Sequence, residues 1–99
     1  MYVIIWEYQV KLEKQAKFEK IYAANGAWTE LFKKGTGYLG TELLRHTNQP
    51  LRFLTIDRWT SKEDYEAFRS RWEKEYKVLD AQCESLTESE STLGKWDAV

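Results

Sequence analysis

The stretch Arg52–Trp59, RFLTIDRW, followed by TSKE at residues 60–63, decides the fold. In a strand, successive side chains point to opposite faces, so one face carries Leu54 and Ile56. The other face carries Phe53, Thr55, Asp57 and Trp59. An aliphatic face suits the underside of packed helices, whereas an unpaired carboxylate is costly in a dry core. We therefore expect the Leu54 face to pack on helices and the Asp57 face to need a partner, a ligand or water.

The residues after this strand begin a helix. A side-chain oxygen of Thr60 or Ser61 can accept from free backbone N–H groups, and Glu63 or Asp64 can close a capping box. Apolar side chains then recur every three or four positions, which predicts one long amphipathic helix. These side chains are Tyr65, Phe68, Trp72, Tyr76 and Leu79.

The remaining sequence completes a strand, helix, strand, strand, helix, strand order. The first strand spans residues 2–10, and the first helix is broken at Asn25-Gly26 into two pieces, 13–24 and 28–34. A strand at 37–46 forms a hairpin with 51–59, and a last strand spans 89–96. If the hairpin turn has four residues, Glu42 opposes Thr55 and Tyr38 opposes Trp59. The order predicts an α+β, ferredoxin-like βαββαβ fold in one domain, 1–99.

In this fold both helices pack on one face of a four-stranded antiparallel sheet, and the other face is bare. The bare face is expected to carry seven large apolar side chains: Ile4, Trp6, Tyr8, Tyr38, Leu44, Phe53 and Trp59. At about 1.5 to 3 kcal/mol each, leaving them in water would forfeit on the order of 10 kcal/mol, as much as a whole domain's stability. We therefore predict a homodimer that pairs two such faces.

Composition excludes several classes of partner. The 15 basic and 16 acidic residues of this 99-residue chain give a net charge of −1, so nucleic acid is not an expected partner. No apolar run approaches the roughly 20 residues of a membrane span, and the N-terminus lacks the features of a secretory signal. The single cysteine, Cys83, fits a reducing compartment, which predicts a cytoplasmic protein. No cluster of residues suggests a metal site.

Several segments together resemble the antibiotic biosynthesis monooxygenase family of dimeric α/β barrels. They are the opening strand with Trp6-Glu7, the helix broken before Trp28, GYLGTELL at 37–44, LTIDRW at 54–59 with Ser61, and LTESE at 86–90. The resemblance implies a barrel formed by two chains, with a cavity between sheet and helices in each. Family members include cofactor-free monooxygenases of polycyclic aromatic compounds, haem-degrading enzymes and small proteins of unassigned role. The haem-degrading branch uses a histidine on the second helix, and none occurs from Ser61 to Asp80.

The resemblance thus implies a cofactor-independent monooxygenase of a small or polycyclic aromatic substrate, needing no haem, flavin or metal. Such an enzyme needs a base, apolar walls and an oxyanion donor. The candidate base is Asp57 or Glu42. The candidate substrate-binding residues are Trp6, Tyr8, Tyr38, Phe53, Trp59, Tyr65 and Phe68, with Tyr38 or Tyr65 as the donor. Two alternatives remain open, a dimeric ligand-binding module and a purely accessory dimer. Asp57 is favoured as a dimer-interface anchor, with Glu42 then as the base.

Overall fold

The computed structural model describes residues 1–99, and its elements follow the expected order. The strands are β1 (Tyr2–Val10), β2 (Tyr38–Arg45), β3 (Arg52–Trp59) and β4 (Thr87–Asp97). The helices are α1 (Gln15–Tyr22), α2 (Ala27–Phe32), α3 (Lys62–Arg71) and α4 (Glu73–Cys83), with short 3-10 turns before α1 and before β4. The sheet is antiparallel in the order β2-β3-β1-β4, which confirms the ferredoxin-like α+β fold. None of the helices is long and apolar enough to cross a bilayer.

Helix boundaries follow from local chemistry. The break between α1 and α2 occurs at Gly26, where a Cβ atom would lie 2.3 Å from the carbonyl oxygen of Ile21, so only glycine fits there. Helix α3 begins after Ser61, whose hydroxyl accepts from the Asp64 N–H at 3.1 Å. The expected single long helix is instead two helices, because the backbone leaves helical geometry at Trp72, with φ −110° and ψ 22°.

The helices cover the sheet face opposite to the one expected. The ring of Phe53 lies 5.1 Å from Phe18 of α1, and the ring of Trp59 lies 5.1 Å from Phe68 of α3. Leu54 and Ile56 point away from the helices and stay partly exposed. The alternation sorts residues into two faces but does not say which face the helices meet. The aromatic side chains lie on the helix-covered face because their large rings fill the layer between sheet and helices.

We call the helix-covered face the inner face and the other the outer face. Six of the seven residues expected on a bare face lie on the inner face, which corrects that expectation: Ile4, Trp6, Tyr8, Tyr38, Phe53 and Trp59. Leu44 is on the outer face, opposite Leu54. The outer face also carries Val3, Ile5 and Ile56, and these aliphatic side chains lie beside two ion pairs, Glu7–Arg52 and Glu42–Arg58.

The pairing of β2 with β3 differs by one residue from the expected register over most of its length. Tyr38 does oppose Trp59, but a β-bulge follows at once, and Gly40 adopts a φ of 133°. Beyond the bulge Thr41 opposes Asp57. A shift by one residue moves a side chain to the other face, so Glu42 lies on the outer face and not, as expected, on the same face as Asp57.

Candidate functional site

A cavity of about 270 Å³ lies between the inner face and the helices. Its size is close to the lower end, about 300 Å³, of ordinary small-molecule pockets. Half of its lining is aromatic. The lining residues are Trp6, Tyr8, Tyr22, Trp28, Phe32, Thr41, Thr55, Asp57, Arg69, Tyr76, Asp80 and Glu90. Such a cavity suits a molecule of one or two rings.

Asp57 is the buried acid of this cavity. Strand β3 places it on the inner face between Thr55 and Trp59, and only 8% of its surface is exposed. Burial raises its pKa from 3.8 to about 6, while the hydrogen bond from Thr41 opposes this rise. No donor of the protein contacts its second carboxyl oxygen. Asp57 can therefore accept a proton from a molecule in the cavity.

Two hydroxyl pairs hold the polar part of the inner face. Thr41 Oγ1 donates to Asp57 Oδ1 at 2.6 Å, and the Tyr38 hydroxyl lies 2.6 Å from the same Thr41 oxygen. The Tyr8 hydroxyl lies 2.9 Å from Thr55 Oγ1. Burial raises the pKa of Tyr8 well above its ordinary value, so its hydroxyl stays protonated. These hydrogen bonds orient the polar side chains on the sheet wall of the cavity.

The predicted site residues separate into three groups. Asp57, Trp6 and Tyr8 line the cavity. Tyr38 contacts it only through Thr41, whereas four other residues predicted to bind substrate lie in the packed core and do not line it: Phe53, Trp59, Tyr65 and Phe68. Glu42 lies outside the cavity, on the outer face, where it pairs with Arg58. The strand pattern assigned these residues to strands, but it did not predict where along the strands the cavity lies.

Sequence analysis missed the helical side of the cavity. Helices α1, α2 and α4 contribute four lining residues: Tyr22, Trp28, Tyr76 and Asp80. For the three aromatic residues, the only signal of burial in the sequence is their position at helical spacing. Tyr76 makes no hydrogen bond, and burial raises its pKa, so its hydroxyl is a free donor. It meets the requirement for an oxyanion donor better than Tyr65, whose hydroxyl accepts from Arg69 at 3.1 Å.

Comparison with known proteins agrees with this fold. The family model described as antibiotic biosynthesis monooxygenase matches residues 1–77. The chain belongs to this family. None of the curated proteins matches it significantly.

Solved structures of the family share the whole architecture. A candidate antibiotic biosynthesis monooxygenase from Nitrosomonas europaea has 18% identity and a TM-score of 0.75, with 100% of this chain and 99% of that one covered. A point mutant of SnoaB, a cofactor-independent oxygenase from Streptomyces nogalater, has 18% identity and a TM-score of 0.73, covering 98% and 91%. A point mutant of MhuD with two manganese protoporphyrin IX molecules per active site has 20% identity and a TM-score of 0.68, covering 100% and 95%. At these identities the similarity establishes the fold.

The lining of the cavity does not suit haem, an iron porphyrin. Haem iron in proteins is held by histidine, cysteine, methionine or tyrosinate, and neither histidine, cysteine nor methionine lines the cavity. Its three tyrosines, Tyr8, Tyr22 and Tyr76, all have raised pKa values and so keep their protons. His46 lies at the hairpin turn, where its Nδ1 accepts from two backbone N–H groups.

Proposed function

We propose that this member of the antibiotic biosynthesis monooxygenase family is a cofactor-independent monooxygenase of a small hydroxyaromatic substrate, with Asp57 as the base. The observation that carries the proposal is a buried carboxyl group with a pKa of about 6 and one free oxygen at the wall of an aromatic cavity. At neutral pH this group is mostly ionised, yet it is a stronger base than an exposed carboxylate. Perturbed acids in clefts of this kind mark functional sites.

The reaction begins with removal of the substrate's hydroxyl proton by Asp57. The resulting phenolate is electron-rich enough to transfer an electron to O₂, and recombination forms a carbon–oxygen bond at a ring carbon that bears hydrogen. Asp57 returns its proton to the peroxide, and loss of water, made from the distal hydroxyl and the hydrogen of that ring carbon, leaves a quinone. The balance is one phenol and one O₂ to one quinone and one water. All electrons come from the substrate, so no reducing cofactor is required.

The other cavity residues have supporting roles in this reaction. Tyr76, as a protonated donor without a partner, stabilises the phenolate oxygen. Trp6 and Trp28 exclude water from the ring, which strengthens the electrostatic interactions inside the cavity. Tyr8, hydrogen-bonded to Thr55, forms part of the sheet wall against which the substrate ring packs.

Oxygen consumption tests this function. Purified protein is mixed with hydroxyaromatic compounds of one and two rings, such as 1-naphthol, in an oxygen electrode, and the product is analysed after reaction in ¹⁸O₂. We expect incorporation of one ¹⁸O atom and a loss of about 100-fold or more in kcat for Asp57→Asn. Full activity in the Asp57→Asn variant would refute the role of Asp57. Binding without oxygen consumption would favour the alternative, a ligand-binding module.

The second part of the proposal is a homodimer formed through the outer face. This face exposes 42% of Leu44 and 56% of Trp96, beside the partly exposed Val3, Ile5, Leu54 and Ile56. An apolar patch of this kind on a small domain is characteristic of an interface. A second copy presents the same aliphatic surface and can cover it by two-fold symmetry. Asp57 lies on the inner face, so the anchor role expected for it in such an interface has no geometric basis.

A further inference from the structure

The charges that line the cavity are unbalanced. Three carboxyl groups line it, those of Asp57, Asp80 and Glu90, against one cation, Arg69. None of the three forms an ion pair. A carboxylate without a partner in a partly dry site is costly, so the lining favours a ligand that supplies positive charge.

Arg69 offsets at most one of these three charges, and its guanidinium group already has other partners. It pairs with Glu73 at 3.3 Å and donates to the Tyr65 hydroxyl at 3.1 Å. It also stacks on the ring of Tyr76, 3.8 Å from the ring centroid. Glu73 does not line the cavity and also pairs with Lys77 at 3.6 Å, so the lining keeps three carboxyl groups against the one charge of Arg69.

The three carboxyl groups differ in depth. Asp57 is more than nine-tenths buried and has one oxygen without a donor. Asp80 is half-buried and Glu90 is exposed, so these two lie nearer the mouth of the cavity. Both line the same cavity as Asp57. The cavity therefore has one acid at its inner end and a pair of acids toward solvent.

The walls between these ends are aromatic. Trp6, Trp28 and Phe32 line the cavity beside its tyrosines, and the negative faces of aromatic rings attract organic cations. No three acidic, histidine or cysteine side chains in the molecule converge closely enough to hold a metal ion. The complementary ligand is thus an organic ammonium ion, and an anionic ligand would be repelled.

We infer, building on the proposed function, that the substrate is a hydroxyaromatic amine. Its hydroxyl group contacts Asp57, its ring lies between the aromatic walls, and its protonated amine lies between Asp80 and Glu90. One ring with a short aminoalkyl arm fits a cavity of about 270 Å³. The amine is not consumed in the reaction, since oxygen is added to the ring and the ammonium group only binds.

A matched series of three phenols tests this inference by calorimetry at pH 7.5. Tyramine is a cation, 4-(2-hydroxyethyl)phenol is neutral and 4-hydroxyphenylacetate is an anion, all on the same ring. We expect tyramine to bind at least tenfold more tightly than the neutral compound, and the anion to show no binding. The double variant Asp80→Asn/Glu90→Gln should lower tyramine affinity to that of the neutral compound. Glu75→Gln, an exposed charge change on the same helix α4, is the matched control.

Equal affinities for tyramine and the neutral compound, or no binding of any of the three at millimolar concentration, would overturn the inference. So would selectivity for the cation that survives in the double variant. Circular dichroism establishes that each variant is folded. Oxygen uptake separates the two proposals. Tyramine binding without oxygen uptake refutes the oxygenase and supports the ligand class. Oxygen uptake with neutral phenols alone supports the oxygenase and refutes the ligand class.

Discussion

Thr41 Oγ1 donates a hydrogen bond to Asp57 Oδ1 at 2.6 Å across the paired strands β2 and β3. A threonine hydroxyl has one proton, so the Tyr38 hydroxyl, 2.6 Å from Thr41 Oγ1, must donate in turn to Thr41. The chain Tyr38, Thr41, Asp57 orients one carboxyl oxygen and leaves the other free. Thr41 thus controls the acidity of the group that we propose as the base.

Replacing Thr41 by valine should raise the pKa of Asp57. The hydrogen bond from Thr41 favours the charged carboxylate, so its loss adds to the effect of burial, which already raises the pKa to about 6. We expect kcat/KM to rise with pH and level off above about pH 6 in the wild type, and to level off at higher pH in Thr41→Val. Thr41→Ser keeps the hydroxyl and should behave as the wild type. Identical pH profiles for all three proteins would contradict this role.

Asp57→Asn should change the dependence of stability on pH. The folded pKa of about 6 exceeds the ordinary value of 3.8, so the contribution of Asp57 to stability is full below about pH 3.8 and is lost as pH rises through 6. The difference, 6 minus 3.8 or about 2 units, corresponds to roughly 3 kcal/mol. Relative to the wild type, Asp57→Asn should therefore gain stability between pH 4 and pH 7.5. Urea unfolding at pH 4 and pH 7.5 measures the difference in free energy of unfolding between the variant and the wild type. A variant that is less stable than the wild type at pH 7.5 would show that Asp57 is paired in solution.

Glu42→Gln should leave turnover unchanged. Glu42 points to the outer face, where its only polar partner is Arg58, and it does not line the cavity. Its pairing is exposed, so its loss should cost no more than about 1 kcal/mol of stability. Comparing the kcat of Glu42→Gln with that of Asp57→Asn in steady-state kinetics decides between the two candidate bases. A loss of kcat in Glu42→Gln similar to that in Asp57→Asn would reassign the base.

Leu54→Glu should dissociate the proposed dimer. Leu54 lies opposite Leu44 and Glu7 on the outer face, where two facing copies would have to bury two added carboxylates. Sedimentation at micromolar concentration should give twice the 11.8 kDa chain mass for the wild type and the single mass for Leu54→Glu. Val78→Glu, on a side chain of α4 that is 55% exposed, is the matched control and should stay dimeric. A wild-type protein that sediments as a folded monomer would refute the dimer.

The order of the elements could be predicted from the sequence because it depends on local chemistry. Alternation of side chains marked β1 and β3, the hydroxyl of Ser61 marked the start of α3, and Gly26 marked the break before α2. Each of these signals acts within a few residues. The partition of β3 into a Leu54 face and an Asp57 face was also correct, since it follows from strand geometry alone.

Only the tertiary structure decided which of these faces meets the helices and where the cavity lies. A buried carboxylate argued for an open face, but Thr41 and the cavity together make burial of Asp57 tolerable. Thr41 lies opposite Asp57 because of the bulge after Tyr38. This bulge shifts the register of β2 by one residue and moves Glu42 to the outer face. Register and layer packing are set by contacts between distant segments, so a period-2 pattern defines faces but cannot assign their neighbours.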